Sequence, residues 1–308
     1  MWRALLLPLL AFLFASSAVA AGGDDPDLAF GAYQRGRYRD AFSEATKRVE
    51  QDHNDAAAMA LLGELTGGGL SVAPDLKKAA EWFELAAARG DRNATYALAM
   101  MTLDGRGVAK DKMRAKALLE EAAKAGQPSA AYNLGLLALA EGTPDGDARG
   151  VGLLREGAAA GVSEAEYALA TLLREGKRVP LDREAAAQMM GRAARDLYEP
   201  AEIEYAIMLF NGDGVPKDEA AAAKLFLRSA SRGNPIAQNR IARLYVTGRG
   251  VAADLVEAAA WNMLAQHAGR DDPWLNAATA NLSPEQRQKA LGLVRKRLSA
   301  FQLGINSP

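Results

Sequence analysis

A repeat of about 36 residues runs through most of the chain and limits what it can fold into. Each copy is anchored on an alanine that begins a run of small and apolar residues, as in AMALLGEL and AEYALATL. Successive anchors are 36, 36, 35, 36 and 36 residues apart, and they are Ala58, Ala94, Ala130, Ala165, Ala201 and Ala237. Periods of this length are typical of helical solenoids, in which each unit buries its apolar face against its neighbours. The repeat therefore predicts an all-α array.

Within each copy, a helix A, a glycine-containing loop and a helix B follow one another. Helix A is expected to end at the first glycine of motifs such as GDGV, since glycine adopts the left-handed conformation at little cost. An aspartate at a constant distance after the anchor is expected to cap helix B, and these residues are Asp75, Asp111, Asp147, Asp182, Asp218 and Asp254. Ser163 with Glu166 predicts a capping box at the start of one helix A, and Asn234 predicts a cap at another.

The ends of the copies are glycines in five cases, and the fourth copy ends at Leu197 instead. The third copy is one residue short and contains EGTPDGDARG, which predicts an irregular loop over 142–150. A glycine-rich loop before a helix is also a pattern of phosphate sites, but these loops lack the lysine followed by serine or threonine of a P-loop. Their repetition favours an architectural role.

The combined pattern over 58–269 has tyrosine in helix A, G-x-G-V-x-x-D in the loop and W-x-x-x-A-A in helix B. It resembles the Sel-one-like repeat family, which is related to tetratricopeptide repeats. The resemblance implies a right-handed α-solenoid of antiparallel helix pairs, about seven in this chain, with a C-terminal capping helix. It also implies an adaptor that binds proteins. Bacterial members include periplasmic regulators of sensor kinases and scaffolds in polysaccharide export.

The two ends of the chain depart from the repeat. Residues 21–57 predict an N-terminal tetratricopeptide-like cap, and residues 270–308 predict C-terminal capping helices. In the C-terminal segment, Ser283, Pro284 and Gln286 favour a helix start. Its expected apolar stripe is Leu291, Val294, Leu298 and Phe301, and its basic face is Arg287, Lys289, Arg295, Lys296 and Arg297. Capping of the last repeat is the main interpretation, and peripheral contact of 284–301 with anionic lipid or an acidic partner is the alternative.

The N-terminal segment 1–20 has the features of a secretory signal peptide. Arg3 precedes an apolar run from Ala4 to Phe14, and Ala18-Val19-Ala20 matches the small-x-small cleavage pattern. We therefore expect cleavage after Ala20 and a periplasmic or secreted location. The run is too short to span a bilayer, and no other apolar stretch is long enough to do so, so no integral membrane span is predicted.

Charge and residue types exclude several functions. Without Arg3, 36 basic residues face 38 acidic ones, a balance that argues against nucleic acid as a partner. The chain has no cysteine, and its two histidines, His53 and His267, lie near opposite ends of the array. No serine lies in G-x-S-x-G or begins S-x-x-K. Asp145 and Asp147 lack the glutamate of a calcium loop. We therefore predict no catalytic residues, no metal site and no cofactor.

Candidate binding residues lie on helix A. Tyr96, Tyr132 and Tyr167 share one position in successive copies, where Ile203 and Asn239 follow. They favour either an aromatic stripe along the groove or packing between copies. Two further candidates are Arg240 and Arg243, which add positive charge to the last helix A.

The leading functional prediction is an exported adaptor or scaffold that binds partner proteins or peptides through the solenoid groove. Regulation of an envelope signalling or assembly complex would be one such role. The first alternative is a scaffold for binding or export of envelope polysaccharide, and the second is a hydrolase that acts on the cell wall.

Overall fold

The computed structural model describes residues 27–305, with side chains for residues 27–299. The predicted signal segment 1–20 and the side chain of Phe301 lie outside these ranges. The described residues form helices without strands, as the repeat predicts. In chain order the helices are α1 Leu28–Gln34, α2 Tyr38–Gln51, α3 Ala56–Gly67, α4 Leu76–Ala87, α5 Arg92–Asp104, α6 Lys112–Lys124, α7 Pro128–Leu139, α8 Pro144–Ala159, α9 Ser163–Glu175, α10 Arg183–Arg195, α11 Glu199–Asn211, α12 Glu219–Ser231, α13 Pro235–Thr247, α14 Leu255–His267, α15 Pro273–Ala278 and α16 Pro284–Ile305.

Two compact units divide the chain, Met1–Leu137 and Ala138–Pro308. In the first unit, each helix from α1 to α5 packs against the next helix in sequence. In the second unit, the same neighbour-to-neighbour packing runs from α8 to α14. This is the packing expected of stacked helix pairs. The predicted domain boundaries at residues 57/58 and 269/270 stay a prediction.

Helix B begins at an aspartate cap in five of the six copies. The carboxylates of Asp75, Asp111, Asp182, Asp218 and Asp254 accept hydrogen bonds from backbone N–H groups in the first turn of the helix that follows. The prediction was wrong for Asp147, because α8 begins earlier and Thr143 caps it, with Oγ1 accepting from Gly146 N at 3.0 Å. Asp147 instead pairs with Arg178 at 3.3 Å. The predicted irregular loop over 142–150 is thus helical from Pro144 onward.

The capping box predicted at Ser163 and Glu166 is also absent. Helix α9 has Val162 at its N-cap position, and no side chain bonds to the cap. Glu166 is buried and accepts a hydrogen bond from Arg192 Nε at 2.5 Å, in helix B of the same copy. Because the Glu166 carboxylate binds Arg192, it does not form the local capping interaction with the start of α9. Asn234, by contrast, caps α13 as predicted.

The second loop glycine is required by a contact between neighbouring copies. Gly250 has a φ of +71°, and a Cβ on it would lie 2.0 Å from the carbonyl oxygen of Glu219, the first residue of the preceding helix B. Gly107 and Gly214 have equivalent contacts with Leu76 and Arg183. The loop therefore lies directly on the previous copy, and no larger residue fits without a shift of backbone.

The last residue of each copy adopts the left-handed conformation even where it is not a glycine. Leu197 has a φ of +63° and is the only described residue other than glycine with a positive φ. Its counterparts Gly126, Gly161 and Gly233 have φ values of +80°, +80° and +95°. The geometry of the repeat thus imposes this conformation on a leucine that adopts it at a cost.

The C-terminal helices cover the last copy. Ser283 and Gln286 form the predicted reciprocal cap, in which Ser283 N donates to Gln286 Oε1 and Gln286 N donates to Ser283 Oγ. Helix α16 packs against α14, and Val294 and Leu298 contact the core cluster that contains buried Trp261. Arg297 does not belong to an exposed basic face, because it pairs with Glu257 at 2.5 Å and stacks on the Trp261 ring at 3.8 Å.

Candidate functional site

The three candidate tyrosines are half-buried side chains with neighbours. In the first unit, Tyr96 Oη accepts a hydrogen bond from Asn133 Nδ2 at 3.0 Å, and Asn133 directly follows Tyr132. In the second unit, the Tyr167 ring meets the Tyr198 ring edge-on, with centroids 5.5 Å apart. Burial, followed by the charge of Glu204, raises the pKa of Tyr167. These contacts give Tyr96 and Tyr167 a packing role between copies, and the stripe as a binding surface stays a prediction.

Arg243 is held in place by Asp272, the N-cap residue of α15. Its Nε and Nη2 donate to the two carboxylate oxygens of Asp272 at 2.8 and 3.0 Å. Asn239 Nδ2 donates to the same carboxylate at 2.7 Å, and Leu275 N completes the set at 3.2 Å. Burial alone would raise the pKa of Asp272, but the hydrogen bonds from Arg243 and Asn239 outweigh it and hold the pKa at about 2. Asp272 therefore fixes the position of the Arg243 guanidinium and balances its charge.

Arg240 differs from Arg243, its neighbour one turn along α13. It is exposed, and among the residues whose side chains are described it has no ion-pair partner. Its positive charge is thus available to a ligand. The structure places the two predicted arginines side by side but gives them different roles.

Both arginines line a recess of about 340 Å³ in the second unit, between α11, α13 and α15. Ile207, Phe210 and Leu244 form its apolar wall. Its rim is formed by Arg240, Arg243, Arg249 and Trp274. We refer to these seven residues as the arginine-rimmed recess. A concave apolar surface with a few convergent polar groups is the usual form of a binding site.

Arg249 and Trp274 shape the rim of the arginine-rimmed recess. Arg249 Nη2 donates to Glu219 Oε1 at 2.5 Å, and its guanidinium lies 4.0 Å from the centroid of the Phe210 ring. Hydrogen bonds from Arg249 and Lys217 lower the pKa of Glu219 to about 2. On the other side, the Arg243 guanidinium lies 5.0 Å from the Trp274 ring, which is 45% exposed. Two cation–π contacts thus orient the rings around the opening.

A smaller recess lies at the equivalent place in the first unit. Its volume is about 30 Å³, and Phe83, Tyr96, Met100, Asp104 and Arg106 are among the residues that line it. When the copy anchored on Ala94 is aligned with the copy anchored on Ala237, Met100, Asp104 and Arg106 fall at the positions of Arg243, Thr247 and Arg249. The recess is therefore a feature of the repeat. In the second unit it is larger and carries two more arginines.

The sequence predictions missed most of the arginine-rimmed recess. Phe210, Arg249 and Trp274 were not singled out, and neither was Asp272. One signal was available: Asp272-Pro273 repeats the cap and first helical residue of Asn234-Pro235, which marks α15 as a shortened helix A. Helix α15 packs against both α13 and α14, as the first helix of a further copy would.

The histidines lie apart from both recesses. His53 is exposed, and its Nδ1 lies 2.8 Å from the Val49 carbonyl oxygen. His267 is exposed in the last turn of α14. In the described part of the chain, no three acidic or histidine side chains are grouped as metal ligands. Within residues 27–305, every helix is too short or too polar to cross a bilayer.

Comparisons with known proteins agree with this architecture. The family model for the Sel1 repeat matches residues 56–91, 92–127, 128–162, 163–196, 200–234 and 235–261. A Sel1 repeat protein from Oxalobacter formigenes superimposes with a TM-score of 0.64 at 23% identity, over 78% of this chain and 97% of that one. The protective antigen c5321 of uropathogenic Escherichia coli, which displays an SLR fold, gives a TM-score of 0.50 at 23% identity, over 91% and 70%. No curated protein was found to match.

Proposed function

Since the chain belongs to the Sel1 repeat family, we propose that it is an exported adaptor that binds a partner protein through its helix-A surfaces. Sel1 repeat proteins are generally scaffolds for protein interaction, and their fold is not a catalytic one. The observation that carries the proposal is the recess beside helix A, which recurs at the same register in both units. Each unit thus has a concave place beside helix A that a partner protein could contact.

A protein partner is favoured over a polysaccharide by the state of the tyrosines. Scaffolds for polysaccharide need exposed aromatic rings that stack on sugars. Tyr96, Tyr132 and Tyr167 are half-buried, and Tyr96 and Tyr167 contact Asn133 and Tyr198. Within the described residues, Trp274 is the tryptophan with a large exposed fraction. One exposed ring is a small platform for a glycan.

Site-specific photo-cross-linking in the native host tests the adaptor function. A photoreactive phenylalanine analogue is placed at Tyr96, at Arg240 and, as control, at Met113, which is 78% exposed on α6. We expect a discrete protein adduct at Tyr96 or Arg240 and none at Met113. Adducts only at Met113, or none at any position, would contradict the proposal. A glycan adduct at Tyr96 or Arg240 would support the polysaccharide alternative.

Export is the second part of the proposal, and the segment 1–20 supports it. Arg3, the apolar run and Ala18-Val19-Ala20 form the three regions of a cleaved signal. Mass spectrometry of the chain from the envelope fraction is expected to show Ala21 as the first residue. A chain that retains Met1 in that fraction would refute cleavage. Charge reversal by Arg3→Glu should reduce export and leave the folded repeat unchanged.

A further inference from the structure

We propose that the arginine-rimmed recess binds a peptide segment in which an apolar or aromatic side chain lies next to a carboxylate. This inference rests on the proposed adaptor function and specifies the chemistry of its partner. It concerns a single place in the second unit, where α11, α13 and α15 meet.

The apolar part selects a hydrophobic side chain. The wall is formed by Ile207, Phe210 and Leu244, and Trp274 leaves 45% of its surface in water at the rim. Exposed tryptophan beside a concave apolar wall is a common anchor of interfaces, because its burial removes a large area from water at little cost in conformational entropy. The wall and Trp274 together fit one apolar side chain of a partner.

The charged part selects a carboxylate. Arg243 and Arg249 line the opening, but each already pairs with a carboxylate: Arg243 with Asp272, and Arg249 with Glu219, which Lys217 shares. Arg240 lies between the arginine-rimmed recess and a second, more polar opening of about 570 Å³, and it lines both. It carries the charge that no described carboxylate balances. An acidic group beside the apolar side chain would meet Arg240, while a basic group there would be repelled.

Comparison with the first unit shows that this chemistry is local. At the equivalent recess, Met100 replaces Arg243, Asp104 replaces Thr247, and the volume is about 30 Å³. The guanidinium in that recess is Arg106, and it lies beside Asp104, so a carboxylate there would meet charges of both signs in a much smaller space. The same partner segment is therefore not expected to bind in the first unit.

Selection from a library of random heptapeptides displayed on phage, with the full chain immobilised, tests the inference. We expect enriched peptides to contain Phe, Trp, Leu or Met within two positions of Asp or Glu. For a synthetic enriched peptide, the Kd is measured by fluorescence polarisation. Arg240→Glu should weaken binding about tenfold, since it replaces an attraction with a repulsion, and Arg240→Gln should weaken it less. Salt should also weaken binding.

The matched control is Lys112→Glu, the same charge reversal at an exposed residue of α6 in the first unit. It should leave the Kd unchanged. Equal losses for Lys112→Glu and Arg240→Glu, enrichment of peptides without carboxylates, or no enrichment at all would overturn the inference. Binding of short duplex DNA or of anionic phospholipid vesicles that is lost in Arg240→Glu would also overturn it. Cross-links at Tyr96 without any at Arg240 would support the adaptor function while overturning this site.

Discussion

Leu197 offers a direct test of the backbone geometry that the repeat imposes. It occupies the position where other copies have glycine, with a φ of +63°. We compare two substitutions, Leu197→Ala and Leu197→Gly. Both remove the leucine side chain, but only glycine also removes the Cβ that is crowded in the left-handed conformation. The difference between them isolates the backbone term.

The expected magnitude follows from the exposure and the dihedral angle of Leu197. The side chain is 60% exposed, so its loss should cost less than about 1 kcal/mol in either variant. Relief of the left-handed conformation should stabilise the glycine variant by roughly 1–2 kcal/mol. The greater freedom of glycine in the unfolded chain opposes this by about 0.5–1 kcal/mol. Leu197→Gly should therefore be more stable than Leu197→Ala by about 0.75 kcal/mol, the middle of a range from about 0 to 1.5 kcal/mol.

Guanidinium unfolding, followed by far-UV circular dichroism, measures this difference in the free energy of unfolding. The control is Gly161→Ala at the equivalent position of the preceding copy, where φ is +80° and no atom lies within 4 Å of an added Cβ. It should lose about the amount that Leu197→Gly gains over Leu197→Ala. If Gly161→Ala is destabilised and Leu197→Gly is no more stable than Leu197→Ala, the reasoning is refuted.

Three further changes test other parts of the fold. Gly126→Val should lower the melting temperature, because a β-branched residue replaces glycine at a φ of +80°; unchanged stability would contradict this. Gly250→Ala should destabilise more than Gly126→Ala, since its Cβ would lie 2.0 Å from the Glu219 carbonyl oxygen; equal losses would show that the loop moves away freely. Burial, against the hydrogen bond from Tyr33, raises the pKa of Glu64 to about 7, so the folded state holds this proton more tightly than the unfolded chain. The proton on Glu64 therefore stabilises the folded state fully below about pH 4.5, and this stabilisation is lost as pH rises through about 7. Glu64→Gln should remove this loss, which is on the order of 3 kcal/mol. If the free energies of unfolding of the wild type and of Glu64→Gln differ by the same amount at about pH 4 and at about pH 8, the assignment is contradicted.

Much of the fold was predictable because its determinants are local in sequence. An aspartate such as Asp218 caps a helix through an N–H group in the helix's first turn, and a glycine such as Gly248 ends a helix through its own φ. The repeat places these residues at the same register in each copy. Helix starts, loops and the number of helix pairs in the described residues follow from them.

Prediction failed where a local interaction competes with a distant one. Glu166 has the spacing of a capping box with Ser163, yet Arg192, 26 residues later, takes its carboxylate. Thr143 begins α8 ahead of Asp147, whose carboxylate pairs with Arg178. Spacing alone contains no information on which of two partners a side chain reaches.

The sequence by itself determined the period, the helix pairs and the family, since these depend on residues that are close along the chain. Only the tertiary structure decided where the arginine-rimmed recess lies. Phe210, Arg240 and Trp274 come from three helices, and they face one opening because copies stack side by side. The same stacking neutralises Arg243 with Asp272, 29 residues away, and leaves Arg240 charged. Which charge is balanced is a property of packing between copies, and so no single copy of the repeat contains it.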